Sequence, residues 1–153
     1  MEKVQSSIDH QCQTRGYAAP VDVLMDVGVL DKRKYEDWRI GKIPYLESVC
    51  TCNLHQLSLT MKLIRSYAQE AGYRPSYCFY GRWGMKKKKD RSRKNVHPLR
   101  FSKSGESKIE RAYATHYLDA QRIAELKVEA ERKRAESMEL DMNMDTQSKE
   151  FAL

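Results

Sequence analysis

The sequence predicts a mainly helical protein with a small antiparallel β-hairpin and a long C-terminal helix. Three observations lead there. Apolar residues recur at alternating spacings of three and four from Asn53 to Ala71. The aromatic run from Ser76 to Trp83 then changes to a period of two. A second helical pattern opens at Ser107 and continues past Leu126 into a charged stretch that offers little to bury. A chain of 153 residues suits one domain with an appendage. The expected division is a flexible arm at 1–16, a helical domain at 17–119 with its hairpin at 76–83 and 98–102, and a charged helical extension and disordered tail at 120–153.

Met1 to Gly16 is polar without a sustained period and is expected to fray. Pro20 suits the first turn of a helix whose inward face carries Val21, Leu24 and Met25, and Gly28 suits its end. Asp31 reads as an N-cap for the run to Ile40, which directs Tyr35 and Trp38 inward before Gly41 stops it. Pro44 starts another short turn, with Tyr45, Leu46 and Val49 at buried spacing. The central helix follows. Asn53 and Gln56 form a capping-box pattern, Leu54, Leu57, Met61, Ile64 and Ala68 make the main stripe, and Leu59, Leu63 and Tyr67 widen it. Gly72 and Pro75 close it.

In the hairpin, alternation sends Tyr77, Phe79 and Trp83 toward the core and Tyr80 and Arg82 outward; Leu99 and Phe101 face in and Arg100 out on the second strand. The connection from Gly84 to His97 exceeds an ordinary hairpin loop. Ser107 with Glu110 is a second capping box, opening a helix that carries Ile109, Ala112, Tyr113, His116 or Tyr117, Ala120 and Ile123. The stretch past Leu126 favours helix by propensity and either projects alone or pairs with another copy; from Asp141 a structureless tail is expected.

Charge carries the functional reading. Arg82, Lys86, Lys87, Lys88, Lys89, Arg91, Arg93, Lys94, Arg100 and Lys103 stand against Asp90 alone in one window, whereas the whole chain carries +7. The rest of the chain is therefore slightly acidic, and the positive charge is local. Local positive charge attracts polyanions, so the expected partner is DNA or RNA, bound through phosphates. Helices followed by a hairpin match the element order of a winged helix-turn-helix domain, with the basic run as the wing. By that analogy the central helix offers Asn53 and Gln56 to adenine edges and Arg65 to a phosphate or guanine, while Tyr80 joins Arg82 on the ligand face. The alternative is a non-catalytic interaction module, in which the C-terminal helix meets a protein partner or a second copy.

Other classes find less support. Cys50 and Cys52 are one residue apart, closer than zinc pairs usually stand, so neither metal nor cofactor is expected. No Gly-rich phosphate loop, H-E-x-x-H or G-x-S-x-G motif occurs. No stretch reaches the roughly 18 apolar residues of a membrane span. The cysteines read as reduced thiols of a cytoplasmic protein. His97 to Arg100 has the H-x-x-R spacing and Ala114 to His116 a nearby triplet that resemble tyrosine recombinases, without the upstream arginine region or the large catalytic domain of that family. The stretch from Gly16 to Gly84, continued by LRFSKSGESKIERAYATHY, resembles a family of small uncharacterised bacterial proteins, a resemblance that implies no activity. Binding without catalysis is the expectation.

Overall fold

The structure, a computed structural model, describes residues 2–84 and 98–151, with side chains as far as Thr146. It is mostly helical. Helix α1 (Glu2–Arg15) leads into β1 (Tyr17–Ala18), α2 (Pro20–Asp26), α3 (Lys32–Arg39), a 3-10 turn (Leu46–Val49) and α4 (Leu54–Glu70). Then come β2 (Arg74–Tyr77), α5 (Ser107–Ala114), β3 (Thr115–Leu118) and α6 (Ala120–Phe151).

The expected flexible arm at 1–16 is instead a core helix. Val4, Ser7, Ile8, Gln11 and Cys12 form its buried stripe. Two of these five are polar, which breaks the apolar period in the sequence. Their hydrogen bonds make the burial tolerable. The Ser7 hydroxyl donates to Asp26 at 2.6 Å, the Gln11 amide donates to Ser7 at 3.0 Å, and Gln11 Oε1 accepts from the Ala19 N–H at 3.0 Å. At the far side of α1, Asp9 accepts from the hydroxyls of Tyr67 at 2.6 Å and Tyr73 at 3.1 Å.

The expected hairpin is also corrected. The antiparallel sheet has three strands in the order β1-β3-β2, and Arg74 to Tyr77 pairs with Leu118 to Thr115 rather than with 98–102. Thr115 to Leu118 lies inside the run expected to be helical. Its β-branched and aromatic residues suit a strand that both neighbours cover, and Tyr117 is buried there. Residues 98–102 run beside 80 with one bond, from the Leu99 N–H to the Tyr80 carbonyl at 2.8 Å, and form no strand among the described residues. The wing of the winged-helix analogy is therefore not built by these segments.

The alternation runs on past β2 as far as Tyr80, but in the opposite phase, so the expected facing of the aromatics is reversed. Tyr80 is buried, whereas Tyr77 and Phe79 are each 55% exposed and Trp83 is 45% exposed.

The core has two lobes. Trp38, fully buried, centres one with Leu24, Leu46, Leu57, Phe101 and Tyr113. Val4, Ile8, Cys12, Val23, Ile64 and Tyr117 make the other. α4 spans both, Leu57 in the first and Ile64 and Ala68 in the second. The expected helix starts hold in part. Pro20 opens α2, and Asn53 Oδ1 accepts from the Gln56 N–H at 2.8 Å. Asp31 occupies the N-cap position of α3 without a side-chain bond.

The second capping box is not formed. Glu106 holds the N-cap position of α5, and the Glu110 carboxylate turns instead to the preceding loop, accepting from the backbone N–H groups of Phe101 and Ser102 and from the Ser102 hydroxyl. The same loop is held from its other side by Trp38, whose indole N–H donates to the Arg100 carbonyl at 2.7 Å, and by the Leu46 and Glu47 N–H groups.

Among the described residues, α6 docks only at its start. Gly16, at φ +87°, leaves room for Ile123, and a Cβ there would stand 2.5 Å from Ile123 Cγ1. Arg122 Nε donates to the Gln13 carbonyl at 2.8 Å. From Glu131 to Thr146 every residue is exposed, and the helix continues to Phe151 where a structureless tail was expected.

Candidate binding surfaces

Two surfaces emerge from this arrangement. The first is the base of the basic segment. Lys86, Lys87, Lys88, Lys89, Arg91, Arg93, Lys94 and His97 lie outside the described residues, which leaves Arg82, Arg100 and Lys103 to be located. All three are exposed. Arg82 Nε donates to the Ile40 carbonyl at 2.9 Å, so the side chain crosses Gly41. Arg100 folds back on its own loop, donating to the Ser102 carbonyl at 2.8 Å and to the Lys103 carbonyl. Both guanidiniums are thus anchored by neutral acceptors. Behind Arg82, the Arg39 guanidinium sits over the rings of Tyr80 at 5.1 Å and Trp83 at 4.9 Å.

Tyr80 does not join this surface. Its hydroxyl lies 2.7 Å from His116 Nε2 inside the protein. Burial holds the Tyr80 phenol protonated and the His116 imidazole below its ordinary range, so the two form a hydrogen bond between uncharged groups. His116 is also stacked on Tyr17, with centroids 5.3 Å apart. The three site residues expected on α4 do not act as one patch. Asn53 uses its side-chain oxygen as the helix cap, Gln56 is exposed beside it, and Arg65 follows about 18 Å along the axis.

Arg65 belongs to the second surface, which the sequence reading missed. A groove of about 1210 Å³ runs between α4 and α5. Leu54, Ser58, Met61 and Arg65 face it from α4 at helical spacing, and Lys108, Ile109, Arg111 and Ala112 face it from α5. Ile64, Tyr113 and Tyr117 reach it from the core. Its cations are Lys62, Arg65, Lys103, Lys108 and Arg111, and none of the five makes an ion pair among the described residues. Its one acid, Glu47, is already engaged. The carboxylate accepts from the Lys103 N–H at 2.9 Å and faces the Tyr113 hydroxyl at 3.3 Å. Burial, then the Glu47 charge, keeps that phenol protonated well above neutral pH. The result is an apolar trough with a cationic rim.

Reactive chemistry is scarce. Burial pushes the Cys12 thiol up to about 11 and the Cys50 thiol up to about 12, so neither is an ionised nucleophile near neutral pH. Among the described residues, no group of three or more His, Cys, Asp or Glu side chains gathers to hold a metal ion. No helix among them is long and apolar enough to cross a membrane. No protein-family model, curated protein or solved structure matches the chain.

Proposed function

We propose that this protein is a small nucleic-acid-binding module that contacts phosphates of DNA or RNA through the segment from Arg82 to Lys103, without catalysis of its own. One observation carries the reading: ten bases and one acid in that window, in a chain whose remainder is slightly acidic. Charge at this density releases counterions when it meets a phosphate backbone, and such contacts hold a nucleic acid without reading its sequence. The exposure of Arg82, Arg100 and Lys103 supports it, because the described ends of the segment are open to solvent. Four free cysteines fit a reducing compartment such as the cytoplasm.

The test is fluorescence anisotropy on duplex and single-stranded oligonucleotides across a salt series. The wild type is expected to bind with a steep salt dependence. Replacing Lys86 to Lys89 with alanine is expected to flatten the log–log slope by roughly three to four, about one unit for each phosphate that is no longer neutralised. Absence of binding by the wild type at low salt rejects the reading.

A second reading, a protein-interaction module acting through α6, rests on a separate observation. Met138, Leu140, Met142 and Met144 are all more than 60% exposed on a stretch of helix that no other described residue covers. Flexible, polarizable methionines are well suited to adaptable contact surfaces.

A further inference from the structure

We propose that the acidic, methionine-rich end of α6 from a second copy of this chain docks in the groove between α4 and α5. This rests on the interaction reading of α6 and names its partner. The argument is complementarity of both shape and charge. From Ala135 to Thr146 the helix carries Glu136, Glu139, Asp141 and Asp145 and no base. The groove offers five cations around an apolar trough, and its one carboxylate is engaged. At about 1210 Å³ it exceeds the roughly 300–1,000 Å³ of clefts that take small molecules, and a helix laid in a groove is a common peptide-binding mode.

The pattern on α6 fits that trough. Met138 and Met142 are one turn apart on one face. Asp141 and Asp145 flank that face on one side and Glu139 on the other, so a helix with its methionines down directs carboxylates to both rims. The rims are Lys62 and Arg65 on α4, and Lys108 and Arg111 on α5.

The occupant is a second copy because α6 cannot serve its own body. Its first turns are fixed on α1 by Arg122 and Ile123, and the helix is unbroken beyond them. Met138 therefore stands about 27 Å along the axis from Ala120, out in solvent. Reciprocal exchange between two copies fills both grooves, as closed two-fold symmetry allows.

Sedimentation velocity on the full chain tests this. Self-association is expected, weakening as salt screens the rim charges. Asp141→Lys with Asp145→Lys, and separately Arg65→Glu with Lys108→Glu, are each expected to weaken it roughly tenfold. Mixing the two variants is expected to restore it, since the reversed helix positions then meet the reversed rim positions while the unchanged helix meets the unchanged rim. All four positions are exposed, and circular dichroism checks that each variant folds. A chain monomeric at every concentration overturns the proposal. Association lost on Met138→Ser with Met142→Ser but unchanged by Arg65→Glu with Lys108→Glu keeps α6 as an interface and overturns the groove. Association indifferent to all of these changes removes both. If the groove variant weakens oligonucleotide binding while self-association stays intact, the groove serves nucleic acid and the docking proposal fails.

Discussion

Helices α4 and α6 are the two longest in the protein, and they are stabilised in different ways. α4 buries Leu57, Ile64 and Ala68 to 1% exposure or less, each on the stripe that faces the two core lobes. α6 leaves Val128, Met138 and Leu140 more than 60% exposed. The difference lies in arrangement more than in apolar content. On α4 the apolar residues recur on one side, whereas on α6 those near the end fall on two faces with charges between them. Tertiary packing therefore holds α4. The far part of α6 relies on helix propensity and on pairs such as Arg132 to Glu136 at 3.9 Å, each of them worth about 0.3–0.5 kcal/mol. A long helix is thus not by itself a sign of a core.

The sharpest way to break the comparison is Leu57→Ala. Removing this buried side chain is expected to cost about 2–5 kcal/mol in urea denaturation. A loss below about 1 kcal/mol would mean that α4 is not the central packing element. Next comes Glu110→Ala, which strips the Phe101–Ser102 loop of a carboxylate acceptor. The expected cost is about 1.5–3 kcal/mol, checked by the same denaturation. A neutral result would show that Trp38 and the 3-10 turn hold that loop unaided.

His116 gives a smaller, pH-dependent effect. Its folded pKa is lowered from 6.5, so above that pH the ring is neutral in both states and contributes no pH dependence. As pH falls below 6.5 the unfolded chain takes up a proton that the folded one resists, and stability declines. The stability gap between wild type and His116→Gln should therefore be widest above that pH and narrow as acid is added. A gap that stays constant across the acid range contradicts a buried neutral imidazole. The smallest effect is expected from Leu140→Ala on α6, within about 0.5 kcal/mol by thermal denaturation. A larger loss would mean that this stretch is held by packing rather than by propensity.

The helical core was the most legible part of the chain. The stripe from Leu57 to Ala68, the Asn53 cap and Pro20 at a first turn are local patterns, and local patterns survive in sequence. α1 was hidden because Ser7 and Gln11 occupy buried positions, and only the tertiary approach of Asp26 and Ala19 satisfies them. β3 was hidden because Thr115 to Leu118 continues a helical apolar spacing until β1 and β2 claim its backbone. Tyr80 lies on the side opposite to the expected one because a period of two fixes which residues share a face and not which face the core covers.

The candidate sites divide in the same way. The basic segment from Arg82 to Lys103 is contiguous, so its charge was plain without coordinates. The cationic groove was not, because its rim is assembled from Lys62 and Arg65, Lys103, and Lys108 and Arg111, each unremarkable in its own stretch.

The amino-acid order alone determined the charge inventory, the amphipathic stripe of α4 and the turn residues that bound it, since each depends on neighbours within a few positions. Only the tertiary structure decided which aromatics are buried, which strand pairs with β2 and where distant cations converge. These depend on contacts between segments far apart in the chain, and short-range periodicity carries no record of them.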